Sequence, residues 1–263
     1  MNNSLVIIPT YNEKENIEAI IAKVFSLEKA FDILIVDDNS PDGTGQLVKN
    51  LQSIKNPKEQ QLNLLERSGK LGLGTAYIEG FKYAISHKYD YVFEMDADFS
   101  HNPEDLHLLY EACHSQGQDV AIGSRYANGV VNVVNWPIGR VLMSYFASVY
   151  VRLITGMHIM DTTAGFVCYK RNVLETIELD RVKFIGYAFQ IEMKFTSFKF
   201  GFKITEVPII FTDRTKGTSK MSTGIFKEAV IGVIQLKINS WFRKYFREKE
   251  EIHTASSQIE ASN

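Results

Sequence analysis

Residues 89–102 read Tyr89-Asp90-Tyr91-Val92-Phe93-Glu94-Met95-Asp96-Ala97-Asp98-Phe99-Ser100-His101-Asn102. A largely apolar run ends in two carboxylates one residue apart, the pattern of a strand that stops where an acidic loop begins. In an open α/β sheet, ligands bind beyond the carboxyl ends of the strands, and paired carboxylates there suit a cation that carries phosphates. If the segment stays extended, Asp96 and Asp98 share a face, as residues i and i+2 do. Acidic pairs in loops are usually just solvated, so it is the position after a strand that favours a metal.

Upstream, residues 5–8, 31–36 and 63–65 are further apolar runs that predict strands, and residues 120–122 repeat the pattern downstream. The intervening stretches read as helices. Ile17, Ile20, Ile21, Val24 and Phe25 recur at helical spacing, and Pro103 after Asn102 marks a helix start with proline in the first position. Strand and helix in alternation imply a mostly parallel, Rossmann-like α/β sheet flanked by helices, with right-handed crossovers. After about Tyr126 the elements lengthen. A helix is expected over 139–155, a strand over 165–169, a helix over 187–200, a strand over 203–211 and a C-terminal helix over 224–248, with 249–263 a disordered tail. Residues 1–223 are then one domain and 224–248 an amphipathic appendage.

A net charge of -2 gives no push towards nucleic acid, so any anion site must be local. Cys113 and Cys168 lie in no close Cys or His cluster, which argues against a disulfide scaffold or a zinc site and fits a reducing cytoplasm. Residues 1–8 lack a basic region followed by a long apolar stretch, so no secretory signal is expected. The uncharged stretches within 141–151 and 229–236 fall well short of the roughly 18 to 20 apolar residues of a spanning helix.

Two loops leave the first two strands, Pro9-Thr10-Tyr11-Asn12-Glu13 and Val36-Asp37-Asp38-Asn39-Ser40-Pro41-Asp42-Gly43-Thr44. Side by side, they offer an aromatic ring and acceptors for a base and a ribose; read singly, Asp42-Gly43 is a turn and Asn39 or Ser40 a helix cap. A third loop, Arg67-Ser68-Gly69-Lys70-Leu71-Gly72-Leu73-Gly74, is rich in glycine but fits neither the dinucleotide nor the P-loop spacing.

These motifs, followed by Gly72-Leu73-Gly74-Thr75-Ala76-Tyr77, Gly123-Ser124-Arg125-Tyr126, Asn135-Trp136-Pro137, Asp161-Thr162-Thr163-Ala164-Gly165-Phe166, Gly186-Tyr187-Ala188-Phe189-Gln190-Ile191-Glu192-Met193 and Phe211-Thr212-Asp213-Arg214 through Gly217-Thr218-Ser219-Lys220-Met221, stand in a telling order. The chain resembles the polyprenol (dolichyl) phosphate mannosyltransferases, a branch of glycosyltransferase family 2 with the GT-A fold, over about residues 5–226. The early motifs are shared by much of the family and the later ones belong to this branch. The resemblance implies nucleotide contacts at Pro9, Tyr11, Glu13 and Asp38 and a Mg²⁺ or Mn²⁺ held by Asp96 and Asp98. Where some relatives add a glutamine ligand this chain has Ser100, so a hydroxyl or a water is expected there. Arg125, Arg140, Arg214 and Lys220 become the cations for the donor diphosphate or acceptor phosphate, with Gln190 and Glu192 near the sugar. Asp98, Arg125, Arg214 and Lys220 are the implied catalytic set.

Physical reasoning leads the same way. A phosphate acceptor is already ionised near neutrality, its second pKa being about 6, so no strong general base is required. Two anionic substrates must instead be kept from repelling each other, which calls for a metal and several Arg or Lys side chains. His101 is therefore expected to pack or hydrogen-bond rather than act as an acid or base. His107 faces no obvious site, and Asp161 is expected to position the acceptor or a cation. The expected reaction is inverting transfer of mannose from GDP-mannose to a polyprenyl phosphate; a UDP-glucose or other UDP-sugar transferase is the enzymatic alternative and a non-catalytic nucleotide-sugar-binding subunit the alternative of another class. The aromatic stretch 141–151, bounded by Arg140 and Arg152, and residues 225–246 both suit a membrane interface as well as an ordinary core-facing helix. Peripheral attachment at the cytoplasmic membrane face is the resulting expectation.

Overall fold

The computed structural model describes residues 2–53, 59–213 and 223–246. β1 (Ser4–Thr10), β2 (Asp32–Asp37), β3 (Leu62–Glu66), β4 (Tyr91–Glu94) and β5 (Val120–Ser124) form where apolar runs predict strands. Between them lie α1 (Ile17–Ser26), α2 (Thr44–Gln52), α3 (Leu73–Ser86) and α4 (Leu106–His114). A 3₁₀ turn, Pro103–Asp105, leads into α4, and the Asn102 side chain caps it by accepting from the Glu104 N–H at 3.2 Å. The second half adds β6 (Val133–Val134), α5 (Ile138–Thr155), β7 (Val167–Lys170), α6 (Arg171–Thr176), α7 (Tyr187–Lys199), β8 (Ile204–Pro208), β9 (Phe211–Thr212) and α8 (Thr223–Phe242).

Among the described residues the main sheet runs β3-β2-β1-β4-β7-β5-β8. All its pairings are parallel except those of β7, which is antiparallel to both β4 and β5. Alternation along the strands builds a core on each face. Leu5, Ile7, Leu34 and Val36 join Tyr77 and Phe81 of α3 and Phe189 and Met193 of α7, whereas Val6, Ile8, Ile33 and Ile35 join Ile20 and Val24 of α1 and Leu109 of α4. Burying one such aliphatic side chain contributes about 1.5–3 kcal/mol.

Two expectations change. The strand over 203–211 is two strands in two sheets: β8 pairs with β5 up to Pro208, which has no N–H to continue a ladder, and β9 then pairs with β6. The C-terminal helix ends at Phe242 rather than 248 and is not amphipathic in the expected sense, because apolar side chains occupy both its sides. Val233 and Leu236 face the core, while Ile231, Ile234, Ile238 and Trp241 are exposed. α8 lies against α7 and α5, with the Tyr150 hydroxyl donating to the Val230 carbonyl at 2.9 Å. Among the described residues no helix is long and apolar enough to cross a membrane. The tail expected over 249–263 lies outside the described residues.

Candidate active site

The loops leaving β1 and β2 are laced together. The N–H groups of Asn12, Glu13 and Lys14 donate to Ser40 Oγ, Thr44 Oγ1 and Asp42 Oδ2 at 3.0, 3.0 and 3.1 Å, and the Asp38 N–H donates to the Thr10 carbonyl at 3.0 Å. Both backbones need left-handed turns, at Asn12 (φ 57°) and Asn39 (φ 55°), where asparagine is well tolerated. Asp37 anchors the pair from beneath, accepting from Thr10 Oγ1 at 2.8 Å and Ser40 Oγ at 2.6 Å. Pro9, Tyr11, Glu13 and Asp38 thus share one rim of the sheet. Burial pushes the Asp38 carboxyl up, and the Arg67 guanidinium, 2.9 Å away as an ion pair, opposes it. Arg67 also reaches Thr75 Oγ1 at 2.5 Å, and Lys70 Nζ lies 4.9 Å from the Tyr11 ring centre, so the third loop closes this end. Its glycine-rich look signalled a loop without singling out Arg67.

β4 stops at Glu94, and the chain bends instead of staying extended, with Phe99 in the left-handed region at φ 59°. The i, i+2 rule of an extended strand therefore does not apply to Asp96 and Asp98: the Asp96 side chain is 41% exposed, whereas Asp98 is buried. The Ser100 N–H donates to Asp98 Oδ1 at 3.1 Å, and Ser100 Oγ is buried with no hydrogen-bond partner among the described residues. No group of three His, Cys, Asp or Glu converges among the described residues. Asp96, Asp98 and the Ser100 hydroxyl are an oxygen set that would fit Mg²⁺ or Mn²⁺, ions that take one or two carboxylates and leave the remaining positions to phosphates and water. Burial holds His101 down at about 4. Its neutral ring accepts from the Asp96 N–H through Nδ1 at 3.3 Å and stacks on Phe166 at 4.9 Å, which makes it a packing and hydrogen-bonding group.

The cationic side is built on β5 and α5. Arg125 follows β5, and its Nε and Nη2 donate to the buried Asp161 carboxylate at 2.7 and 2.6 Å, while Nη2 also reaches Thr163 Oγ1 at 2.9 Å. Burial works against the Asp161 charge, but the Arg125 guanidinium and its hydrogen bonds hold the carboxyl below the usual range. Asp161 thus positions a cation, one of the two roles expected of it. Arg140, near the start of α5, lies 4.1 Å from the Trp136 ring centre and donates through Nη1 to both Asp213 oxygens at 2.9 Å. β9 draws this side onto the loop that carries Asp96 and Asp98: the Thr212 N–H donates to the Ser100 carbonyl at 3.2 Å, and the Phe211 ring meets His101 at 5.4 Å.

Gln190 and Glu192 are both buried and turned inward. The Gln190 amide bonds Glu94, and Glu192 Oε2 accepts from the N–H groups of Lys183 and Phe184 at 2.9 and 3.0 Å, holding the segment before α7. Arg214 and Lys220 lie outside the described residues. Glu94, Lys194 and Glu206 were not expected in the site; each reads in sequence as an ordinary charged residue, and only packing makes it internal.

Residues 5–178 match the family described as glycosyl transferase family 2. A polyprenol monophosphomannose synthase of Mycolicibacterium smegmatis is 44% identical over 232 residues, which cover 88% of this chain and 86% of that protein. An undecaprenyl-phosphate mannosyltransferase of Micrococcus luteus is 42% identical over 229 residues, covering 87% and 91%. In fold, the chain is similar to glucosyl-3-phosphoglycerate synthase from Mycobacterium tuberculosis in complex with Mn²⁺, UDP and glucosyl-3-phosphoglycerate (TM-score 0.64, 16% identity, 89% of this chain and 79% of that one). It is also similar to a mannosyltransferase from Pyrobaculum calidifontis in complex with GDP-Man and Mn²⁺ (TM-score 0.57, 17% identity, 92% and 64%).

Proposed function

Because the chain belongs to glycosyl transferase family 2 and has the GT-A fold, we propose that it transfers mannose from GDP-mannose to a polyprenyl monophosphate, giving a β-linked polyprenyl phosphate mannose. The observation that carries this reading is that the loop bearing Asp96 and Asp98 meets the side bearing Arg125 and Arg140 through His101 and Phe211, at one rim of the sheet: the Arg125 guanidinium lies 5.6 Å from the Phe211 ring centre, and the Phe211 ring meets His101 at 5.4 Å. Such a rim suits a reaction between two phosphate-bearing substrates. The names of both relatives support mannose and a polyprenyl phosphate, and the fold neighbour with GDP-Man supports the nucleotide.

Tyr11, Glu13 and Asp38 take the base and ribose, with Pro9 shaping the rim. Asp96 and Asp98, with the Ser100 hydroxyl nearby, hold a divalent cation whose charge, when bound, neutralises the departing diphosphate. Arg125 and Arg140, joined by Arg214 and Lys220, receive phosphate charge. Since the acceptor oxygen is already ionised, no residue takes a proton from it. That oxygen bonds to the anomeric carbon as the bond from carbon to GDP breaks on the opposite face, inverting the configuration. Gln190 and Glu192 act here by shaping the wall below the sugar. The exposed apolar side chains of α5 and α8 lay the site against the membrane surface that carries the lipid acceptor, at the cytoplasmic face.

Radiolabelled GDP-mannose and UDP-glucose, each offered with short polyprenyl phosphates and Mn²⁺, test this reading. Label from GDP-mannose is expected in a β-linked lipid product, with Asp98→Ala inactive. Transfer from UDP-glucose alone makes it a glucosyltransferase; donor binding without turnover makes it a binding subunit.

A further inference from the structure

Behind the metal loop, three buried side chains are joined end to end. Glu94, the last residue of β4, accepts through Oε2 from Gln190 Nε2 at 2.9 Å. Gln190 Oε1 accepts from Lys194 Nζ at 3.2 Å, one helical turn further along α7. Lys194 Nζ also donates to the Gln190 carbonyl at 3.3 Å and to the Ala164 carbonyl at 2.6 Å. An ammonium has three donors, and these three acceptors use them all. Lys194 and Glu94 are both 0% exposed, and no carboxylate lies within ion-pair distance of Nζ among the described residues. The Gln190 amide stands between the two charges and has one tolerable orientation. Turned over, it would set its oxygen against the carboxylate and its NH₂ against the ammonium.

Ala164 belongs to the loop that carries Asp161. Glu206 of β8 fastens the start of that loop, accepting from the N–H groups of Met160 and Asp161 at 2.7 and 2.9 Å. Asp161 holds Arg125, and Gly165 fits between His101 and Gln190, where an added Cβ would lie 3.9 Å from each. Lys194 therefore joins the base of the metal loop to the far end of the loop that orients Arg125. We infer that Lys194, acting through Gln190, is a positioning residue that sets the spacing between the Asp96–Asp98 metal loop and the Arg125 guanidinium. It touches neither substrate. The inference rests on the proposed sugar transfer, for which a misplacement of about 1 Å at the reacting groups can cost about a hundredfold in rate.

Two variants separate positioning from bulk stability. Lys194→Met keeps the volume but removes the charge and donors, leaving Glu94, whose carboxyl is pushed up to about 8 by burial, with the Gln190 amide as partner and no countercharge. It is expected to lower Tm and to reduce kcat for a short polyprenyl phosphate at least about tenfold, with the Kd for GDP and Mn²⁺ changed less than about twofold. Adding Glu94→Gln replaces the buried carboxyl by a neutral amide of the same shape and removes the cost of burying it without a cation, so the double variant should regain Tm while kcat stays low. Recovery of kcat together with Tm would overturn the proposal. A second readout does not need activity: the Arg125 Nε–H resonance, assigned by its loss in Arg125→Lys, should shift in the double variant, and an unmoved resonance overturns the proposal as well. A wild-type protein that binds GDP and Mn²⁺ but transfers no sugar would sink the functional reading and leave the resonance to decide the positioning one.

Discussion

Asp161→Asn would leave the Arg125 guanidinium buried beside a neutral amide. Breaking a buried pair from one side costs about 3–5 kcal/mol, because the remaining charge is desolvated and uncompensated. Urea unfolding at pH 7 should show that loss. The sign with pH follows from the depressed Asp161 carboxyl: its contribution is present above the unfolded value of about 3.9 and disappears as pH falls through the lower folded value. The gap in stability between wild type and Asp161→Asn should therefore narrow only below about pH 4; a gap that closes between pH 7 and 5 would point to another group. That Asp96 and Asp98 follow a strand end could be read from the sequence because an apolar run closed by acidic residues is a local pattern, and Asp161 because one of its two expected partners was a cation. Lys194 could not. It stands two residues from Glu192 in a helix, and such charges normally face water; burial in the core is a property of what α7 packs against. The inward bonds of the Gln190 amide to Glu94 and Lys194 were equally hidden in the sequence.

At the scale of elements, α3 approaches the sheet as closely as it does because Gly80 has no side chain. A Cβ there would lie 2.7 Å from Ile7 Cγ2 and 2.9 Å from Ile7 Cδ1, inside the core of β1. Gly80→Ala gains at most about 1 kcal/mol of helix propensity and meets an overpacking cost of about 1–3 kcal/mol. Calorimetry should record a lower Tm. Gly139, also helical but with nothing within 4 Å of its added Cβ, is the contrasting case, and Gly139→Ala should leave Tm unchanged or raise it. The apolar runs of β1 to β5 were legible because each is a short local pattern. The place and direction of β7 were not: Val167-Cys168-Tyr169 is apolar like the others, and nothing in four residues encodes which neighbours they will meet. On α8 the sequence left a membrane-facing and a core-facing reading open, since apolar spacing alone cannot say which of two sides is covered.

On the whole molecule, two helices that pack together each carry an outward apolar stripe. Ile138, Leu142, Phe146 and Leu153 mark the one on α5, with Phe146 61% and Leu153 80% exposed, and Ile231, Ile234, Ile238 and Trp241 mark the one on α8, with Trp241 70% exposed. Each large side chain contributes about 1.5–3 kcal/mol when withdrawn from water, or roughly a tenfold or greater change in partitioning. Phe146→Glu with Trp241→Glu should then weaken co-sedimentation with phospholipid vesicles by about a hundredfold while GDP and Mn²⁺ binding is unaltered. Equal sedimentation of both proteins would remove these stripes from the membrane contact. The order of the main sheet also has a bearing on how the protein is made. β7 fills the gap between β4 and β5, so during synthesis those two strands have no shared neighbour until residue 170 has left the ribosome. The sheet half β3-β2-β1-β4 can assemble from the first 94 residues, with the loops that follow β1 and β2 formed on it. The cationic half waits for long-range pairing, which is intrinsically slower. A nascent chain halted before β7 would hold the laced loops of β1 and β2 with an open strand edge beside them, a species for chaperones to cover before the side bearing Arg125 and Arg140 has formed.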